Sequence, residues 1–311
     1  MMNNKFNPND ATLSVDLSEA TQAVKENRFD DALNLFTIIL EDHPDNIDAL
    51  YLASVSSRYL KNFDDSKEYI ERLMFNAPDM GRAYQELGHI YRDMGNEAKA
   101  AIHYRQACEL NPALLSSWTS LYKYFVKNKN QPASEHAREQ IEKLQSLPSE
   151  LLYVDQIMNE GRLGIAETKC RAFLKKNPTH TYAMSLLAEI ANRLGYFDDA
   201  EFLLEKAVEF ASKDGDLRMK YAAILRKKQK FAKTMEQVNI LCHQYPDNHS
   251  YQALKASEIM QNGEHEEAIK LLDNILEKNP YNFSTFTSKG HAQKTLGQTD
   301  QAIKSYQSAY K

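Results

Sequence analysis

The chain has 311 residues, of which 42% are apolar and 26% charged, with a formal net charge of −5. That length suits two ordinary domains or one long repeat array, and that balance argues against a disordered chain. Residues 1–146 carry −6 and the remainder +1, a distribution that argues against general affinity for nucleic acid or anionic membrane.

The opening MMNNKFNPND has no apolar core after a basic segment, so no secretory signal is expected and residues 1–11 read as a disordered tail. No run of about 18 apolar residues occurs, which excludes a membrane-spanning helix. From residue 13 the chain becomes periodic. Pro44, Pro78 and Pro112 stand 34 residues apart, and so do Pro246 and Pro280. Between them lie two helical patterns per period, clearest in Gly81 to Pro112. Tyr84, Leu87, Ile90 and Tyr91 share one helix face there, and Ala100, Ile102, Tyr104 and Ala107 are read as another.

The register is dense. Twelve residues before each repeat end stand Ala32, Ser66, Ala100, Ala166, Ala200, Thr234, Ala268 and Ala302, all small enough for two helices to cross closely. Small residues also recur in the first helices, at Ala20, Ser54, Gly88, Ala188, Ala222, Ala256 and Gly290, with Val154 the exception. Gly95, Gly161, Gly195, Gly263 and Gly297 mark turns, and Asp30, Asp64 and Asp198 are placed to cap second helices. A 34-residue helix–turn–helix period with small residues at these positions resembles tetratricopeptide repeats over nearly the whole chain. The resemblance implies an all-α fold, a right-handed superhelical solenoid of antiparallel helix pairs.

The repeats run 13–46, 47–80, 81–114, 115–146, 147–180, 181–214, 215–248 and 249–282, with a ninth from 283. The fourth is two residues short, with Pro132 near its second helix, Ser134 at the small position and Arg138 at the bulky one. Altered packing is expected there, dividing the array into 12–146 and 147–311. The ninth repeat lacks a closing Asn-Pro, so the chain reads as a fragment of a longer parent.

No motif carries chemistry. There is no GxxxxGK[ST] and no GxGxxG after a strand, and no catalytic residue, metal site or cofactor is expected. Cys108, Cys170 and Cys242 form no CxxC and fall in second helices, which suits a reduced, cytoplasmic protein. Cys242, His243 and His249 lack a metal-site spacing. His89 and His291 hold equivalent positions with no nucleophile in register. Trp118 falls at a packing position.

Function is expected on the concave wall lined by first helices. In the N-terminal half its outward residues include Tyr51, Arg58, Arg82, Gln85, His89, Arg92 and Lys123. The four cations form a stripe in an otherwise acidic half, suited to a protein or acidic peptide partner; the alternative is a solvated helix face. The lysine-and-asparagine clamp of chaperone-tail-binding members is unsupported, since the first repeat offers Leu17 and Thr21. The asparagine ladder of repeat-bearing glycosyltransferases has only Asn192. Residues 187–211, residues 288–310 and the short fourth repeat, with AREQIEKLQSLPSELL at 137–152, resemble the N-terminal arrays of bacterial repeat-containing sulfotransferases. That resemblance implies a catalytic domain beyond residue 311 using 3′-phosphoadenylyl sulfate, with the array positioning a substrate or that domain.

Overall fold

A computed structural model describes residues 8–310, which form eighteen α-helices and no strand. The tail expected at residues 1–11 falls partly outside the described residues, and α1 (Pro8–Lys25) already begins at Pro8. Proline suits that first helical position because its missing N–H would have no partner there. The chain separates into two compact units, residues 1–166 and 167–311.

In the first unit α1 is followed by α2 (Phe29–Asp42), α3 (Ile47–Tyr59), α4 (Phe63–Asn76), α5 (Gly81–Asp93), α6 (Glu97–Leu110), α7 (Leu115–Lys127), α8 (Gln131–Gln145) and α9 (Ser149–Asn159). Each helix from α1 to α8 packs on the next, giving stacked antiparallel pairs. Helix α10 (Leu163–Lys176) carries the boundary between the units. The division expected after residue 146 therefore leaves α9 out of a unit to which it is tied by the hydrogen bonds described below.

The second unit repeats the plan in α11 (Thr181–Leu194), α12 (Phe197–Phe210), α13 (Gly215–Lys227), α14 (Phe231–Gln244), α15 (His249–Gln261), α16 (His265–Lys278), α17 (Phe283–Thr295) and α18 (Thr299–Tyr310). The pairs α11–α12, α13–α14, α15–α16 and α17–α18 are its hairpins.

Close crossing explains the small residues. A Cβ on Gly88 would stand 2.6 Å from the Tyr104 ring, and one on Gly290 the same distance from Tyr306. In the second repeat serines do this work: Ser54 Oγ donates to Ser66 O and Ser66 Oγ to Ser54 O, both at 2.8 Å. Buried hydroxyls are thus satisfied without enlarging the crossing.

The turns close by a left-handed residue. Gly95 has φ +81°, and Asn96 N–H reaches back to Tyr91 O at 2.8 Å. Asn27, Lys61, Lys129 and Gln229 adopt the same backbone without being glycine, at a cost of about 1–2 kcal/mol each. The expected capping by Asp30, Asp64 and Asp198 is corrected by the structure. These residues lie one position inside α2, α4 and α12, and the capping residues Arg28, Asn62 and Tyr196 make no side-chain cap bond. The aspartates instead place negative charge at the positive end of the helix dipole.

The fourth repeat does pack differently. Helix α8 buries Ala137 and Leu144, while Arg138 is exposed and Ser134 half-buried. The polar residue at the bulky position turns outward, and the helix presents its alanines to α6 and α7.

Candidate functional site

In the first unit the outward side chains of α3, α5 and α7 form one wall, and most of its cations are already matched. Arg58 is only 8% exposed and Glu86 2%. Arg58 Nε donates to Glu86 at 2.5 Å and its Nη1 to Asp93 at 2.9 Å. Burial raises the Glu86 carboxyl pKa against the pull of Arg58. Burial also opposes the Asp93 charge, but hydrogen bonds from Arg92 and Arg58 hold its carboxyl below the ordinary range. Such a pair adds little net stability, yet losing one partner strands a buried charge.

Arg82 lies over the Tyr51 ring, 4.8 Å from its centroid, and donates from Nη2 to Glu160 at 2.7 Å. The Glu160 side chain is 2% exposed. Burial, with the nearby Glu86 and Glu160 carboxylates, pushes the Tyr51 phenol upward. Two residues on, Arg162 pairs with Asp48 at 3.1 Å. Asn111 Nδ2 donates to Gln156 O at 3.0 Å, and Gln156 Nε2 returns a bond to Ala113 O at 2.9 Å.

Residues 156–162 therefore run past the N-terminal ends of α7, α5 and α3 in turn. Leu151, Val154, Ile157 and Met158 of α9 are all buried. At about 1.5–3 kcal/mol for each large apolar side chain, that burial holds α9 in place.

The other end of the wall is open. Arg92 lies ten residues after Arg82 on α5, about 15 Å away by helical rise. There a recess of about 140 Å³ is lined by Arg92, Glu97, Tyr104, Ser120, Lys123 and Lys127, among others. Lys127 pairs with Glu97 at 2.6 Å and Arg92 with Asp93 at 2.8 Å. Lys123 is exposed and makes no ion pair among the described residues. Beneath the recess His89 Nδ1 and Tyr104 Oη are 2.7 Å apart. Burial, with Arg92 and Arg58 close by, pushes the His89 imidazole down to about 3, so it is neutral near pH 7. Gln85 accepts from Ser117 Oγ at 2.9 Å.

The seven residues singled out from the sequence thus divide. Arg92, Lys123 and, below them, His89 meet at the recess. Tyr51 and Arg82 meet at Glu160. Arg58 is consumed by carboxylates, and Gln85 serves α7. Glu86, Glu97, Lys127 and Glu160 were missed. Glu97 and Lys127 sit at a helix start and end, where charge is expected anyway. Glu160 is 78 residues from its partner, and no local pattern announces that contact.

In the second unit several cations on or just after the first helices are likewise occupied. Arg226 pairs with the buried Glu258, and Lys227 donates to Asn192 at 2.9 Å while lying 4.3 Å from the Phe197 ring centroid. Lys228 and Lys230 share Glu201. His291 repeats the His89 arrangement, with Nδ1 3.1 Å from Tyr306 Oη. Trp118 is half-buried; its indole N–H donates to Pro112 O at 2.9 Å. Burial raises the Cys108 and Cys170 thiols to about 12 and about 11, leaving them inert. Among the described residues no cluster of three or more His, Cys, Asp or Glu is arranged to hold a metal, and no helix is long and apolar enough to cross a membrane.

Comparison with solved structures finds partial likenesses. MamA matches at 17% identity with a TM-score of 0.45, covering 50% of this chain and 92% of that one. MamA residues 41 to the end, from Desulfovibrio magneticus RS-1, match at 10% identity with a TM-score of 0.46, covering 52% of this chain and 94% of that one. The APC/C hetero-tetramer Cut9–Hcn1 matches at 16% identity with a TM-score of 0.40, covering 92% of this chain and 57% of that one. None of these bears on what this chain binds. Family models described as tetratricopeptide repeats match residues 17–58, 81–114 and 283–311. These matches place tetratricopeptide repeats within both compact units, in segments where the structure shows paired antiparallel helices with close crossings.

Proposed function

We propose that this chain is a non-catalytic scaffold that holds an acidic segment of a partner protein on the concave wall of its first unit. The observation that carries this reading is the recess at the C-terminal ends of α5 and α7. Arg92, Lys123 and Lys127 converge there beside the Tyr104 and Ser120 hydroxyls, against a single lining carboxylate, Glu97. Residues 1–146 are otherwise acidic, so this is a local cationic site in a repelling surround, which favours one docking point over diffuse attraction. The buried, free cysteines and the absence of a long apolar helix among the described residues support a cytoplasmic setting.

Fluorescence polarisation with a labelled glutamate-rich dodecapeptide tests the proposal. Lys123→Glu with Arg92→Glu is expected to weaken binding at least tenfold in low salt, and raised salt is expected to weaken the wild type. Equal affinity in the double variant would remove the recess as the site.

A second reading rests on the likeness of residues 187–211 and 288–310 to the arrays of bacterial sulfotransferases. In it the array positions a substrate, or a catalytic domain of the same polypeptide that uses 3′-phosphoadenylyl sulfate. The coding sequence after Lys311 decides this reading. A strand leading into a glycine-rich phosphate loop supports it, and an early stop codon ends it.

A further inference from the structure

The wall of the first unit carries a second cationic position, Arg82 lying over Tyr51, and the chain's own Glu160 sits on it. This contact differs from the Arg58–Glu86 pair of the same wall. Arg58 and Glu86 are both sealed, at 8% and 2% exposed, whereas Arg82 retains 22% exposure above its 2% exposed partner. Glu160 belongs to the turn after α9, next to Gly161 at φ +76°. Helix α9 is anchored by its own buried side chains, and the turn reaches the wall through two ion pairs, Glu160–Arg82 and Arg162–Asp48. The second is largely solvated, with side chains 35% and 44% exposed, and solvated pairs hold weakly.

We infer that Glu160 is a built-in competitor for the partner: the Arg82–Tyr51 position takes a carboxylate of an acidic segment once Glu160 swings out, with α9 staying in place. This rests on the reading of the recess as the primary docking point, and adds a second contact about 15 Å further along α5. Three features support it. The position already holds a carboxylate, charge-assisted by the guanidinium and backed by an aromatic face. The resident carboxylate belongs to a turn rather than to a helix interior. Both cationic positions project from the same helix, α5, so one segment reaches both.

The test compares the full-length chain with Glu160→Gln, Arg162→Gln and Glu160→Gln combined with Arg82→Gln, using the same glutamate-rich dodecapeptide. Glu160→Gln removes the competing charge and is expected to bind about tenfold tighter. Adding Arg82→Gln is expected to abolish that gain. Arg162→Gln keeps Glu160 but loosens its turn, and a gain of about threefold is expected; this covers the case in which Glu160→Gln misfolds. A lowered melting temperature with unchanged affinity in the folded Glu160→Gln and Arg162→Gln chains overturns the inference and assigns Glu160 to architecture alone. If the wild type binds through Lys123 and Arg92 yet no gain follows, the scaffold reading stands and this one falls. Absence of binding by every form ends both.

Discussion

Repeats three and four are neighbours in the same unit, joined through α6 and α7, and they solve the same packing problem differently. In the third, Ala100 lets α6 cross α5 closely, Gly88 admits the Tyr104 ring, and that ring is buried with its hydroxyl against His89. In the fourth, Tyr122 and Arg138 stand at the positions of Gly88 and Tyr104 and neither fits that lock, although Ser134 at the crossing is as small as Ser66 of the second repeat. Helix α8 turns its alanines inward, and a hollow of about 380 Å³ opens beside Trp118, Phe125 and Ala133. A repeat is therefore defined by steric complementarity at one crossing, and when that is lost the helix survives but its orientation changes. The recess proposed as the docking point lies at the join of these two repeats, where a long basic residue, Lys123, stands in the place of the third repeat's half-buried histidine.

The comparison can be broken experimentally, most severely at the bulky position. Tyr104→Ala is expected to cost about 3–5 kcal/mol, since the ring is buried and its space cannot close against a glycine. Arg138→Ala, at the same register in the fourth repeat, is expected to stay within about 0.5 kcal/mol. Urea denaturation of both variants checks this, and similar losses would mean that the two repeats pack alike after all.

A smaller effect is expected at the crossing itself. Ala100→Leu overpacks α5 against α6 and should cost about 1–3 kcal/mol. If it melts with the wild type, the repeat register given above is wrong.

The mildest probe is pH. His89 has a folded pKa of about 3, below the ordinary value of about 6.5 for the unfolded chain. Its contribution to stability is thus complete above pH 6.5 and is lost as pH falls toward 3. The unfolded state binds the proton first, so the loss approaches about 1.4 kcal/mol per pH unit below pH 6.5. His89→Gln should lack this slope between pH 6.5 and 5, measured by chemical denaturation at each pH. Identical slopes would show that the imidazole is solvated, as its counterpart Lys123 is.

Much of the fold was legible from residue spacing, because a hairpin's packing is decided by residues a few turns apart. Ala100, Gly88, Tyr104 and the prolines sufficed to place the third repeat, and Ser134 with Arg138 announced the irregular fourth. Turn glycines were equally visible, whereas Asn27, Lys61, Lys129 and Gln229, which take the same conformation, were not. The site was legible only in part. Arg92 and Lys123 were identified from their register on first helices and do converge. Arg58 has the same register as Arg92, yet its charge is spent on Glu86 and Asp93, side chains whose inward turn no single-helix pattern reveals.

What the sequence determined by itself was the architecture of paired helices, their 34-residue spacing, and the one repeat that departs from the rest. Short-range sterics and helix periodicity act over about 34 residues, so they are written locally and repeated. Only the tertiary structure decided which cations remain available. That choice depends on Glu160 reaching Arg82 across 78 residues and Arg162 reaching Asp48 across 114. Such pairs form only after the helices have stacked, because each side chain has many charged alternatives in sequence and one neighbour in space.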